Sequence, residues 1–386
     1  MSTRIKITPE LLITLLFCVH CILLFANSTK YFNLVGSYYG YLVMIPLFSV
    51  SVRYCNSKSQ LIVGVIILYT LLSFWIKGGT QILAVFLFWV VIFFCVGFRV
   101  KPKHFLYIKA AYCISSFIMS VLLLAQRRHP YTGSDSSRYG LFFSTTGFYD
   151  VNFMSTFLTI PTIIMFVAVF DKKVKYFKVT VSALIVNLLA IYLLGSRSGL
   201  FVVFVSIFAY AVISRNKPLR SKILYFIIGI LFLLFVMQFL PTDTISRLLN
   251  KGIIDGKTST RYISWMYGLE AFRENPIWGN GLYSTVELID KTNPWGTAYT
   301  AHNTFISFLA MYGIAGSIPI GLFLMAPVYY ALKYKYNLYF LILYGGFLAQ
   351  LFVIEAGFSE IMLIPLMFFW IYINSRGNKI MNHIHF

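Results

Sequence analysis

An all-α integral membrane protein with about twelve transmembrane helices is the fold class that this chain of 386 residues predicts. Three observations predict it. Apolar runs of bilayer-crossing length recur from one end of the chain to the other. Hydrophobic residues make up 59% and charged residues only 11%, which sets the chain apart from an ordinary soluble domain. The basic residues gather in alternate gaps between the runs, a pattern that orients helices in a membrane. Helices are the expected element because each satisfies its own backbone hydrogen bonds in lipid.

The runs fall at 11–27, 35–52, 60–76, 81–98, 105–125, 152–170, 177–194, 198–214, 222–240, 316–333, 337–355 and 360–375. The first is expected to stay as an anchor. Ala26-Asn27-Ser28 resembles a signal-peptide cleavage site, but the run is long and Glu10 precedes it. The cysteines (Cys18, Cys21, Cys55, Cys95 and Cys113) fall in runs or on the basic side, so no disulfide is expected in the opposite loops. Cys18-Val19-His20-Cys21 lies inside the first run, and ligands so spaced on one helix cannot close around a metal. Residues 303–315 read as a short re-entrant or interfacial helix leading into the tenth run. Residues 1–386 are expected to form a single polytopic membrane domain.

Arg4 and Lys6 precede the first run, and loops on the same side hold Arg53, Lys58, Arg99, Lys101 and Lys103. The basic clusters around Lys172 and Arg215, then Lys333, Lys335, Arg376 and Lys379, continue the series. This side is expected to be cytoplasmic, with both termini inside. The net charge of +20 then faces anionic headgroups, so the implied partner is membrane lipid and not nucleic acid. The other side is expected to be periplasmic and has two long loops, 126–151 and 241–301. They carry Arg127, Arg128, Arg138, Arg247, Arg261 and Arg273, and a short loop adds Arg197. Arginine outnumbers lysine there, which suits bidentate binding of phosphate or carboxylate. For Arg127, Arg128 and Arg247, ordinary solvated charge is an equally good reading.

Four stretches on that side put polar chemistry at helix ends. GSRSGL (195–200) sets Arg197 at the start of the eighth run, with Ser196 and Ser198 able to cap it. A lone cation opposes the helix dipole there, whereas an anion is stabilised, so an arginine fits if it shares an anion with the free N–H groups. The plain alternative is a tight turn with Arg197 in water. STRYISWMYGLEAFREN (259–275) predicts an amphipathic helix with Tyr262, Trp265, Met266, Leu269 and Phe272 in one stripe. Arg261 falls in its first turn and Arg273 near its end. Asn275-Pro276 ends the helix and Gly279-Asn280-Gly281 turns the chain. Trp265, Trp278 and Trp295 put half of the six tryptophans in this loop, as suits a segment at the interface. RYGLFFSTTGFYDVN places Arg138 ahead of the sixth run, with Asp150 and Asn152 as N-caps.

HNTFISFLAMYGIAG (302–316) sets His302 and Asn303 where the polar loop meets an apolar helix, with Gly313 and Gly316 downstream. An imidazole at that boundary is a candidate for proton transfer at the membrane surface. The plainer reading is a surface histidine at a helix cap, with small glycines that let neighbours pack.

GSRSGL, RYISWMYGLEAFRENPIWGNGL and AHNTFISFLAMYGIAG, in this order among the apolar runs, resemble the O-antigen polymerase and O-antigen ligase superfamily. The resemblance is best over residues 190–320, and its most specific part is the His-Asn, nine, Gly, two, Gly spacing. It implies an inner-membrane glycosyltransferase of the GT-C type, acting on sugar chains carried by undecaprenyl diphosphate on the periplasmic face. It also implies that Arg197 and Arg261 bind diphosphate, with Arg138 a weaker carry-over and Arg273 grouped with them. His302 then corresponds to the catalytic histidine, supported by Asn303, Gly313 and Gly316.

The expected reaction displaces a lipid diphosphate from an anomeric carbon by a sugar hydroxyl. Arginines stabilise the leaving charge, and His302 takes the hydroxyl proton. No cofactor is needed, and no Asp-x-Asp pair in the outer loops suggests a metal. Polymerase and ligase differ in the acceptor, a second lipid-linked repeat or lipid A-core. TTGFYDVN resembles polymerase-type sequences, whereas the Arg, ten, Gly spacing of some polymerases is absent from both long loops. A polymerase is the expectation, with a chain-length regulator as a further partner and a ligase as the alternative. A polysaccharide transporter or flippase is the reading from another class. It predicts charges within the helices and inverted repeats, whereas these runs are nearly free of charge.

Overall fold

The computed structural model describes residues 8–23, 57–80, 101–125, 142–143, 147–148, 151–171, 174–213, 260–290, 301–333, 338–355 and 360–376, with a few isolated positions besides. In chain order the elements are α1 (Pro9–Leu23), α2 (Ser57–Lys77), α3 (Pro102–Ala125), β1 (Phe142–Phe143), β2 (Gly147–Phe148), α4 (Val151–Phe170), α5 (Phe177–Leu194) and α6 (Arg197–Ile213). They continue with α7 (Thr260–Glu274), α8 (Thr285–Asp290), α9 (Thr304–Lys333), α10 (Leu338–Leu351) and α11 (Glu360–Arg376). β1 and β2 form a two-residue antiparallel ladder, Phe142 opposite Phe148 and Phe143 opposite Gly147, and the other described elements are helices. The predicted runs 35–52, 81–98 and 222–240 lie outside the described residues apart from isolated positions, as do Arg138 and Asp150.

Among the described residues, Lys103–Ala125, Phe177–Leu194 and Thr304–Lys333 are long and apolar enough to cross a membrane. Shorter apolar helices of 10–17 residues accompany them. Their outward faces are apolar as well: Leu61, Val179, Phe201 and Leu322 are all about two-thirds exposed or more. A surface so rich in large apolar side chains is a surface for lipid, and the chain is a membrane protein.

The helices belong to two compact units. The first comprises Met1–Ser115, Ser264–Lys335 and Glu355–His385, the second Ser116–Ile263 and Tyr336–Ile354. In the first, α9 packs on α2, α8 and α11. Aromatic rings fill this unit: Phe105 lies 5.2 Å from Phe368, and Phe323 stacks on Trp370 at 5.2 Å. In the second, α4 packs on α5 and α6, and α10 packs on α4 and α6. Water does not drive helices together in lipid, so close approach and interhelical hydrogen bonds do. Gly199 of α6 lies so near α4 that a Cβ would overlap Ser155 Oγ. The buried Asn187 amide donates to Ser116 Oγ and accepts from Ser120 Oγ, both at 2.9 Å, and Gln350 donates to Thr159 at 2.7 Å.

Two local expectations change. Asn152 is inside α4, not at its N-cap, and its side-chain carbonyl accepts from Ser196 Oγ at 3.2 Å. The α7 helix forms where expected but buries a different face. Ser264, Gly268 and Ala271 are buried, whereas Met266 and Leu269 of the apolar stripe stay 52% and 37% exposed. The reason is steric. Gly268 lies against Ala301 and Ile306, where a Cβ would already be crowded, so only small residues fit that contact. The large apolar residues are left outward.

Candidate functional site

The site is built around a broken helix. α9 extends from Thr304 to Lys333, but Gly313 within it is not helical, with φ 59° and ψ −167°. That conformation belongs to glycine. A break leaves carbonyls on one side and N–H groups on the other without helical partners, a costly state in an apolar setting. The segment after α7 supplies both sets. Asn280 N donates to Ala310 O (3.0 Å) and Gly281 N to Met311 O (3.2 Å), while Ile314 N and Ala315 N donate to Pro276 O (2.8 Å) and Ile277 O (3.0 Å). The expectation of a separate short helix before the tenth run thus takes the form of one helix interrupted at Gly313.

Both glycines of the HN-to-GxxG spacing have a steric reason. A Cβ on Gly313 would overlap the backbone of Ile277 and Gly279, and one on Gly316 would overlap the Tyr69 ring. Gly279 (φ 70°) meets the same seam from the other side. Tyr69 OH donates to Tyr312 O at 2.6 Å and to Trp278 O at 3.0 Å, and Lys77 Nζ donates to Gly279 O. The end of α2 therefore holds the turn that holds the break. The Asn280 amide adds Ala271 O and Ala310 O, joining α7 to the first half of α9.

At the head of the same helix, Asn303 is the N-cap. Its Oδ1 accepts from Phe305 N (3.0 Å) and Ile306 N (3.2 Å), and the residue is 6% exposed. His302 precedes it with φ 47°, the only non-glycine residue of positive φ among those described, and it is partly exposed. A histidine in this region is held there by its neighbours. The neighbour is Glu355, just past α10. Its carboxylate accepts from Ala301 N at 2.7 Å, from the His302 backbone N–H, from Ser307 Oγ at 3.0 Å and from Thr285 Oγ1. Burial pushes the Glu355 carboxyl above its ordinary range, and these four hydrogen bonds pull it back.

His302, Asn303, Gly313 and Gly316 thus share one helix and its entry turn in the first unit, and Arg273, exposed on the last turn of α7, belongs to that unit too. Arg197 and Arg261 belong to the second unit. Arg197 is the first residue of α6, after Gly195 ends α5 in a left-handed turn (φ 59°), and the buried Ser196 hydroxyl contacts Asn152 and Ser198. Arg261 is the second residue of α7. Both arginines are placed by their backbones, and their side chains, like Arg138, lie outside the described residues.

Sequence reasoning missed Glu355, Asn280 and Tyr69. Glu355 did leave a trace, since a carboxylate at the end of an apolar run is expensive and asks for partners. Asn280 read only as part of a turn, because nothing local links it to a carbonyl 30 residues away. Tyr69 left no trace among the aromatics of its run.

A family model described as O-antigen ligase matches residues 182–321, a stretch that contains GSRSGL, all of α7 and the segment from His302 to Gly316. No curated protein matches the chain at a significant level. Residues 182–321 are therefore similar to the O-antigen polymerase and ligase superfamily, whose members are glycosyltransferase-like enzymes.

Proposed function

We propose that the protein is a bacterial inner-membrane glycosyltransferase. It takes oligosaccharide from undecaprenyl diphosphate on the periplasmic face and polymerises repeat units of O-antigen or a related surface polysaccharide. The observation that carries this reading is His302, held in a left-handed turn directly ahead of the capped α9 within the matched family segment. Trp278, within the turn that closes the helix break, is 61% exposed, and Trp75, two residues before Lys77, is 83% exposed; tryptophan favours the headgroup level.

In this mechanism His302 accepts the proton of the acceptor sugar hydroxyl. The hydroxyl oxygen bonds to the anomeric carbon, and the bond from that carbon to the diphosphate oxygen breaks. Arg197 and Arg261 bind the diphosphate, with Arg138 and Arg273 as further anion contacts, and stabilise its growing charge. Arginine charge takes the part a divalent metal plays elsewhere, so no metal or cofactor enters the proposal. Both termini are cytoplasmic, and a chain-length regulator is the proposed protein partner.

A second reading, O-antigen ligase, is favoured by the description of the matching family model. The acceptor is then lipid A-core. The glycan of a deletion strain separates the two. A single repeat on lipid A-core supports the polymerase. Long chains stranded on undecaprenyl diphosphate support the ligase, and an unchanged glycan profile overturns both.

A further inference from the structure

We infer that Glu355 is the positioning residue that holds His302 in its reactive turn, acting through the backbone of residues 301–302. The inference rests on His302 being the base. Glu355 lies 53 positions beyond His302 in sequence, and four separate groups converge on its carboxylate. Oε2 receives Ala301 N at 2.7 Å, and Oε1 receives Ser307 Oγ at 3.0 Å and Thr285 Oγ1. Thr285 Oγ1 in turn accepts from Ala301 N at 3.3 Å. The backbone N–H of His302 completes the set.

The geometry explains why such a clamp is needed. A left-handed φ is unfavourable for histidine, so it persists only where the surroundings impose it. Asn303 caps the helix that follows, which fixes the chain on the far side of His302. On the near side, the N–H groups of Ala301 and His302 precede the helix and find their acceptor in the Glu355 carboxylate. Ser307 ties the same carboxylate to the first turn of α9, and Thr285 ties it to the start of α8. The carboxylate thus joins three segments whose relative placement sets the backbone from which the imidazole projects.

The task assigned to Glu355 is accepting hydrogen bonds, and that makes the inference testable by isosteric exchange. In Glu355→Gln the amide oxygen keeps the position that receives backbone N–H groups. The amide nitrogen donates to the hydroxyls of Thr285 and Ser307, which can turn to accept. Glu355→Ala removes the clamp, and Glu355→Asp withdraws it by one methylene while keeping the charge.

The experiment uses the full chain in proteoliposomes with an undecaprenyl-diphosphate-linked oligosaccharide as donor, measuring kcat, donor KM and amide exchange over residues 299–306. The expected result for Glu355→Ala is a kcat at least about tenfold lower, donor KM within about twofold, and exchange of the 301 and 302 amides at least about tenfold faster. Glu355→Gln should stay within about threefold of wild type on every reading. The double variant Glu355→Ala, His302→Ala should be no slower than His302→Ala alone. Where the Ala variant does not accumulate, Glu355→Asp should show the same fall in kcat at unchanged KM. Unaltered kcat in Glu355→Ala, in an enzyme that His302→Ala inactivates, overturns the inference, as does a Gln variant as poor as Ala. Full turnover of His302→Ala sinks the base reading instead, and the exchange rates of 301 and 302 still decide whether Glu355 holds the turn.

Discussion

His302 shows how little of a residue's task its own identity discloses. As a lone imidazole at a helix start it fits a base and a cap equally well. The structure gives the capping to Asn303, whose Oδ1 takes two backbone N–H groups, and leaves His302 in a conformation that costs energy to keep. If His302 is the base, His302→Ala should lower transfer about 10²–10⁴-fold, equal to roughly 3–5 kcal/mol of barrier, while donor binding persists. Turnover and donor affinity of the purified variant check this, with His129→Ala, at the histidine of the 126–151 loop, as a nearly silent control. The arginines carry a separate expectation. Arg197 and Arg261 stand in the first turns of α6 and α7, where the dipole disfavours a cation unless an anion joins it. Arg197→Lys and Arg261→Lys should each lose most activity at normal protein level, because a point charge does not reproduce bidentate contacts. Wild-type glycan from both variants would assign them a structural task.

At the scale of elements, the break in α9 is the central object. Three pieces far apart in sequence make it: the end of α2, the turn after α7 and the glycines of α9 itself. Gly313→Ala should destabilise the protein by roughly 1–3 kcal/mol from backbone conformation alone, with overlap against Ile277 adding to it. Gly321, in the same helix with open space around it, is the contrast. Gly321→Ala should be neutral or stabilising by about 0.5–1 kcal/mol. Thermal unfolding of both variants in one detergent makes the comparison, and equal midpoints would mean that the break is not a constraint. Helix α7 is legible in its extent, since Asn275-Pro276 and the first turn bound it, but not in its packing. Its apolar stripe suggests burial, yet the contact with Ala301 and Ile306 selects small side chains.

For the whole molecule, the basic-loop pattern makes a prediction about sidedness. It sets Lys77, the 241–301 loop, His302 and Glu355 on one side of the membrane, opposite the basic clusters. Within the first unit these segments do touch: Lys77 bonds Gly279, and Glu355 bonds Thr285 and Ala301. That is the arrangement expected of helix ends emerging on one face. A cysteine introduced at Thr292 should therefore react with a membrane-impermeant maleimide added from the periplasm. Cysteines at the termini should react only after the inner membrane is permeabilised, and the reverse pattern would invert the topology.

Composition, apolar run length and basic-loop alternation were enough to establish a helical membrane protein, because lipid imposes length and hydropathy on each helix separately. The three spaced motifs were enough to point to the superfamily. They record local requirements: a left-handed Gly195 ending α5, an N-cap at Asn303, and a glycine at 313 where no side chain fits. What only tertiary structure decided is which distant groups meet those requirements. Tyr69, Asn280 and Glu355 complete the break and the His302 turn from 30 to 243 residues away from their partners. Hydrogen-bond partners at that range are chosen by how helices pack, and packing leaves no period or spacing in the chain to read.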